Sequence, residues 1–402
     1  MTHQSAVAVT GLGVRCAAGT SVGALWENLL TSRCPAQMHA FDAEGTVVRP
    51  ACPMPEFTPE GYLTYKEARR TDRSVQMAVC AATDAVADAG GIQAPASRRA
   101  VVTGTAYGGV IAQEAGIGGP DVTYTPRVMP NAGAYWISAK HGATGPTLTL
   151  STACASGSHA VGEAMLMIRA GRADVVIAGG HESPMTATTA LAFGRSGAMI
   201  TECDDPARAS RPFDTDRQGF LLAEAAAFLV LERLDDARAR GARIYATLTG
   251  YGSTSDAHHL TAPDPHGTGA RACMEQALAD AGTPADAVTH MNAHGTGTAL
   301  NDVAEARALT ALFGPAAVPV TACKSVTGHA LGAAGALEAV ITTLSLHEGI
   351  VPPTANTTQL DPQCDLDVVT ARPRKLPAGP AISASFAFGG HNACLVFDTP
   401  RP

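Results

Sequence analysis

The sequence predicts an α/β protein made of two similar halves packed together. Three observations carry this: strands end in small, glycine-rich turns that lead into helices, the strand–loop–helix unit recurs in both halves, and no low-complexity linker divides them. With 402 residues, 46% hydrophobic and only 16% charged, the chain can bury a large core. The halves are expected to divide as 1–240 and 241–402.

SAVAVTGLGV (5–14) reads as a strand running into glycines, followed by a helix over SVGALWENLL (21–30). Its GLG is not a dinucleotide fingerprint, because Cys16 stands where the third glycine belongs. Residues 66–90 read as one helix whose start crowds Lys66, Arg69, Arg70 and Arg73. Such a charge run is either a solvated face or a docking site for an acidic partner. RRAVVTGTAYGG (98–109) is a strand with a glycine turn.

TLTLSTACASGSHAVGEAMLMIRAG (147–171) is the most informative stretch: a β-prone segment, a tight turn, then a helix, with Cys154 near the helix start. Unpartnered backbone N–H groups and the helix field favour negative charge there, so the thiol pKa is expected to fall, as a nucleophile requires. The alternative is a buried structural cysteine. GRADVVIAGGHES (171–183) follows as a central strand.

The second half begins with strands in 219–257, and helices are expected at 267–282, 302–313 and 330–347. Strands at 289–293 and 319–324 each enter a glycine-rich loop and a helix, repeating the unit around Cys154. Pro352, Pro353 and Pro362 mark a connecting segment, and AISASFAFGGHNACLVFD (381–398) reads as a hairpin about a glycine turn.

Composition narrows the function. A net charge of −8 argues against general nucleic-acid affinity. Ten cysteines without a CxxC pair indicate neither a zinc site nor a disulfide framework, and a reducing cytoplasm is the expected setting. The N-terminus lacks the cationic start of a secretory signal, and no apolar stretch reaches membrane-spanning length, so a soluble protein is expected.

His294 in AHGTGT follows a strand, His329 in KSVTGHALGAAG precedes a helix, and Lys324 ends another strand. Singly, each histidine reads more readily as structural. Together with Cys154 they sit where open α/β sheets bind ligands, beyond the carboxyl ends of strands. No GxSxG elbow is present, and ACKSVTG lacks the glycines of a phosphate loop, which argues against a hydrolase and a nucleotide kinase.

STACASG, NAHGTGTALND, KSVTGHALGAAGALEA and SFAFGG, with the N-terminal VTGLGV and the segment SRPFDTDRQGFLLAEAAA, resemble the signature blocks of the β-ketoacyl-acyl-carrier-protein synthases, the condensing enzymes of fatty acid and polyketide assembly. The resemblance covers nearly the whole chain. It implies a thiolase-like fold layered α-β-α-β-α, with the nucleophile in 1–240 and the histidines, lysine and gating loop in 241–402. It implies Cys154 as the acylated nucleophile, His294 and His329 as the pair serving malonyl decarboxylation and condensation, Lys324 with Glu338 as its charge partner, and Phe388 as the gate. Thr261, Thr296 and Thr298 match threonines that contact the phosphopantetheine arm, and Tyr107 matches a residue facing the acyl pocket. Lys66, Arg69, Arg70 and Arg73 resemble the region that docks the acidic acyl carrier protein.

No metal or redox cofactor is implied for the enzyme itself, since the phosphopantetheine arrives on the carrier. The expected assembly is a homodimer or a heterodimer with a homologous chain-length-factor subunit. Three positions depart from the family pattern: Ala387 and Ala225 replace glycines, Ala387 being expected to restrict Phe388, and Tyr107 replaces a smaller apolar residue. Tyr107 and GHNA (390–393) favour a type II polyketide or polyene system, with fatty-acid elongation as the alternative. A non-catalytic chain-length-factor-like subunit is opposed by the intact Cys154, His294, His329 and Lys324. Thiolase-like transfer to coenzyme A is opposed by the C-terminal loop, where His391 precedes Cys394 without the usual second-cysteine motif.

Overall fold

The computed structural model describes residues 6–117 and 119–400. Ser5, at the start of the first predicted strand, lies outside the described residues. The first half contributes β1 (Val7–Cys16), β2 (Arg99–Gly104), β3 (Thr147–Leu150), β4 (Val175–Glu182) and β5 (Ala225–Arg233). The second contributes β6 (Ala246–Ser255), β7 (His290–Asn292), β8 (Pro319–Thr321), β9 (Ala381–Ala387) and β10 (His391–Asp398).

Their order across the sheet is β8-β7-β9-β10-β6-β1-β5-β4-β2-β3, with a two-residue strand, Asp367–Val368, beyond β8. Read outward from the β1/β6 junction, both halves run first, fifth, fourth, second, third. Both also place parallel pairs at the outside and antiparallel pairs toward the junction. The duplication suspected from recurring strand–loop–helix units is therefore a repeat of the whole sheet topology.

Helices complete five layers. Helix α1 (Arg73–Asp88), with α2 (Ala132–His141) beside it, covers the outer face of the first half-sheet. Helices α3 (Ser156–Arg169) and α6 (Ala334–Glu348) lie between the half-sheets, and α4 (Thr268–Ala281), flanked by α5 (Ala299–Phe313), covers the second. Every residue of α6 from Ala334 to Leu346 is buried, as an apolar helix enclosed on all sides requires. This is the layered α-β-α-β-α arrangement expected above.

The glycines at the chain start explain their own spacing. A Cβ on Gly11 would fall on the carbonyl oxygen of Ala85, and one on Gly13 on that of Ala81, both in α1. Gly250 and Gly252 of β6 stand in the same relation to Ala277 and Cys273 of α4. The GxG pair thus lets a helix backbone lie directly on the first strand of each half.

The structure corrects three readings: the strand expected at 319–324 ends at Thr321 and Lys324 opens a short helix, Ala225–Arg233 closes the first half instead of opening the second, and a helix read as one is two. Residues 66–90 form two helices, Tyr65–Ala68 and α1, because Asp72 turns the chain and caps α1, its carboxylate accepting Ser74 N–H at 3.0 Å. The short helix has its own capping box, with Thr64 and Glu67 bonded reciprocally. Ala225 is fully buried, opposite Cys16 on one side and Glu182 on the other, which is a packing position.

Candidate active site

The carboxyl ends of the parallel strands in both halves meet at one place. Cys154 comes from the turn after β3, His294 from the loop after β7, Lys324 and His329 from the segment after β8, and Phe388 from the turn after β9. The repeat therefore brings together residues separated by more than half the chain.

The turn at Cys154 is under backbone tension. Ala153 lies in the left-handed region at φ 50°, which costs a residue with a Cβ about 1–2 kcal/mol. Ser156 holds it there, its hydroxyl accepting Thr152 N–H at 2.9 Å and donating to Ala153 O at 2.6 Å. Cys154 is thereby aimed out of the sheet, two residues before α3 begins, with its Sγ 3.1 Å from His329 Nε2 and within reach of the Phe388 backbone N–H.

The expected fall of the thiol pKa is not found. Burial pushes Cys154 up to about 12, and the Lys324 charge and the Phe388 N–H only partly oppose it. The group therefore rests as a thiol beside His329 Nε2. His329 and His294 are both buried and both held well below the usual histidine range, by lost hydration first and then by the Lys324 ammonium. Both imidazoles are neutral.

Lys324 fixes the state of His294. Its Nζ lies 3.2 Å from His294 Nδ1 and donates to His294 O at 2.6 Å. An ammonium only donates, so Nδ1 accepts and the ring proton sits on Nε2. The same Nζ forms the expected ion pair with Glu338, both side chains buried. Burial pushes the Glu338 carboxyl up to about 7 against the pull of Lys324, and its Oε2 has no hydrogen-bond partner. The two imidazole rings meet edge to face, centroids 5.4 Å apart. His329 Nδ1 is buried without a partner, so no hydrogen bond fixes that ring's tautomer.

One cavity joins these groups to the surface. Cys154, His294, His329 and Phe388 line its inner part, with Thr261, Thr296 and Thr298 also in its wall. Thr298 caps α5, accepting Asn301 N–H at 3.3 Å, and its hydroxyl lies 2.9 Å from that of Thr296. Phe388 packs against Phe193, centroids 6.4 Å apart. Ala387 sits in extended backbone at φ −115°, which any residue adopts; the left-handed turn falls on Gly389 and Gly390, at φ 82° and 71°. This conformation of the loop therefore does not need glycine at 387.

Other predicted residues stand apart. Tyr107 is 41% exposed and does not line the cavity. Lys66, Arg69 and Arg70 are exposed on and after the short helix. Arg73 differs from them: its guanidinium grips the buried Glu224 carboxylate through two bonds of 2.8 and 2.9 Å. Its charge is paired with that carboxylate, while the Arg73 side chain itself stays 32% exposed.

The sequence reading missed Glu305, whose carboxylate accepts the N–H groups of His294 and Gly295 at 2.7 and 2.8 Å and so shapes the histidine loop. It also missed His259, whose Nδ1 accepts the Thr261 and Ala262 N–H groups at 3.1 and 3.0 Å. The spacing of Glu305, two helix turns past the Thr298 cap, was the available signal for the first. Nothing in HHLTAPDP distinguished the second.

A nucleophile-type cysteine facing one of two neutral imidazoles, with a buried lysine–glutamate pair behind the other, is arranged for thioester exchange and for stabilising an enolate. Sequence comparison agrees: the beta-ketoacyl synthase N-terminal domain profile matches residues 4–237 and the C-terminal domain profile residues 245–358. The chain belongs to the β-ketoacyl synthase family. Its relatives include the 3-oxoacyl-[acyl-carrier-protein] synthase 2 of Staphylococcus aureus (strain COL), 40% identical over 99% of both chains. Among solved structures, the ishigamide ketosynthase/chain length factor superposes with a TM-score of 0.91 at 35% identity, over 99% of this chain and 100% of that one. A type II polyketide synthase acyl-carrier protein in complex with its ketosynthase bound to the hexaketide gives 0.90 at 29% identity, over 99% and 100%. The protein is a β-ketoacyl synthase condensing enzyme.

Proposed function

We propose that this β-ketoacyl synthase is the catalytic subunit of a type II polyketide or polyene system, extending a chain held on Cys154 by two carbons with malonyl delivered on an acyl carrier protein. The observation that carries the reading is the Cys154 Sγ to His329 Nε2 approach of 3.1 Å inside a cavity that also holds His294 and three threonines.

In the first step the Cys154 sulfur attacks the acyl thioester carbonyl, the bond to the pantetheine sulfur breaks, and the thiol proton leaves through His329 Nε2 to the departing sulfur. The N–H groups of Cys154 and Phe388 steady the oxyanion. Malonyl-carrier then enters. As its carboxylate departs as carbon dioxide, the bonding electrons move into an enolate whose oxygen receives hydrogen bonds from His294 Nε2–H and from His329, now free to carry its proton on Nε2. The enolate carbon attacks the acyl carbonyl, the bond to Cys154 breaks, and the sulfur takes up a proton from solvent, which balances the carboxylate lost as carbon dioxide. Lys324 keeps His294 in the donating tautomer, and Glu338 balances the buried ammonium.

Thr261, Thr296 and Thr298 offer hydroxyls to the pantetheine arm along the cavity. Lys66, Arg69 and Arg70 form the carrier docking patch, and halves 1–240 and 241–402 divide the labour as the resemblance implies. The likeness to a ketosynthase/chain length factor supports a homologous partner subunit, and the exposed Tyr107 leaves a wall of the acyl pocket for that partner to complete. No helix among the described residues is long and apolar enough to cross a membrane.

Elongation assays with saturated and polyunsaturated acyl-carrier thioesters plus malonyl-carrier, run with and without a co-expressed homologue, test the reading. Elongation confined to unsaturated chains or to the co-expressed pair is expected; efficient elongation of saturated chains by this chain alone would favour fatty-acid synthesis. In the same assay, Tyr107→Gly is expected to broaden the product lengths. Arg69→Glu with Arg70→Glu is expected to raise the carrier KM about three- to tenfold with unchanged melting, since exposed charges govern encounter more than stability.

A further inference from the structure

Glu182, the last residue of β4, is a fully buried carboxylate that the condensation chemistry does not use. The strand overshoots β2 by two residues, its pairing there ending at Gly104 with Gly180, so Glu182, still paired with Ala225 of β5, lies beyond the end of β2 beside the turn that follows it. There its Oε1 accepts the Thr105 hydroxyl at 3.1 Å and the Tyr107 N–H at 3.3 Å, and its Oε2 accepts the Ala106 N–H at 2.5 Å. The backbone N–H of Gly332, three residues past His329, also reaches it. A Cβ on Gly332 would stand 2.6 Å from Glu182 Oε2, so only glycine lets that segment come so near.

These partners are N–H dipoles and a hydroxyl, with no cation among them. A buried carboxylate in that state is costly to keep. One that bonds two separate loops at a reaction centre suggests a task for it.

We propose that Glu182 is a positioning residue: its carboxylate ties the turn carrying Tyr107 to the segment just past His329, so that the acyl-pocket wall and the Cys154–His329 pair keep one geometry. This rests on the reading of Tyr107 and Cys154 given under the proposed function. Burial pushes the Glu182 carboxyl up to about 7; burial is also the main cause that raises the Cys154 thiol and the Tyr107 hydroxyl, and the Glu182 charge adds to it at both. The other charged groups felt by Cys154 are Lys324 and Glu338, with neutral His329 in contact. Glu182 thus holds the two segments through hydrogen bonds, and substitution separates that hold from the charge it adds near the nucleophile.

Glu182→Gln removes the charge, and Glu182→Asp keeps it but shortens the reach. Iodoacetamide alkylation of Cys154, read from the mass of its peptide across a pH series, is expected to move to lower pH in Glu182→Gln and to stay near the parental profile in Glu182→Asp. The distribution of product chain lengths is expected to shift in Glu182→Asp. A Glu182→Gln protein that melts like the parent yet keeps the parental alkylation profile, or a Glu182→Asp protein with the parental product distribution, overturns the proposal. If Glu182→Gln does not fold, the Glu182→Asp distribution alone decides. Failure of the functional reading is distinguishable, because the parental protein would then not be acylated at Cys154 by carrier thioesters, whereas the alkylation profile needs no substrate.

Discussion

His294→Ala is expected to leave Cys154 acylation largely intact while cutting malonyl decarboxylation and condensation about 10²–10³-fold, the usual effect of removing one preorganised donor from a developing oxyanion. The split follows from the geometry. Cys154 faces His329, not His294, so its transfer chemistry keeps its neighbour. His294 instead has Lys324 behind Nδ1, which leaves Nε2–H as the donor to the enolate oxygen. Single-turnover mass measurements of acyl loading, set beside carbon dioxide release from malonyl-carrier, read the two steps separately. Because both imidazoles are held well below the ordinary histidine range, no loss of decarboxylation is expected as pH falls through about 6.5, where an unperturbed histidine would protonate. An equal loss of loading and decarboxylation in His294→Ala would contradict the division of roles.

The second large effect is on the pair behind the histidine. Lys324→Ala or Glu338→Ala leaves an uncompensated charge or an emptied socket in the interior, and breaking a buried pair from one side costs about 3–5 kcal/mol. Either variant is expected to melt markedly below the parent. The double variant Lys324→Met, Glu338→Leu replaces the pair with apolar groups and is expected to recover most of that stability. Decarboxylation is expected to stay low in the double variant, because His294 Nδ1 no longer faces an obligate donor and the ring loses its fixed tautomer. Thermal unfolding and carbon dioxide release, measured on all three, separate structure from chemistry. Recovery of both together would make the pair purely structural.

The legible part of the fold was its repeating unit. Strand, glycine loop and helix recur because each parallel strand must be followed by a crossover, and that pattern is local enough to read from periodicity. The break at Asp72 was not legible, because a capping carboxylate and a solvated aspartate look alike until the chain turns. Cys154, His294, Lys324 and His329 were legible as residues of strand–loop–helix junctions, and the sheet repeat is what brings those junctions together. What burial does to Cys154 was not: the helix-start field can be seen in sequence, whereas the water lost around the sulfur depends on residues from both halves. The ion pair of Arg73 was illegible for the same reason. Its partner Glu224 lies far along the chain, just before β5 in a segment that reads as apolar, so the guanidinium looked free. Tyr107 and Glu182 show the remaining gap, since one is exposed in the single chain and the other works through backbone N–H groups that carry no residue identity.

The most direct measurement is the mass of the tryptic peptide carrying Cys154 after the purified protein meets an acyl-carrier thioester, followed by addition of malonyl-carrier. The expected result is one acyl increment on Cys154 that disappears on malonyl addition as the 3-oxoacyl-carrier appears, with no increment in Cys154→Ala. Acylation on another residue, or elongation that persists in Cys154→Ala, would contradict it.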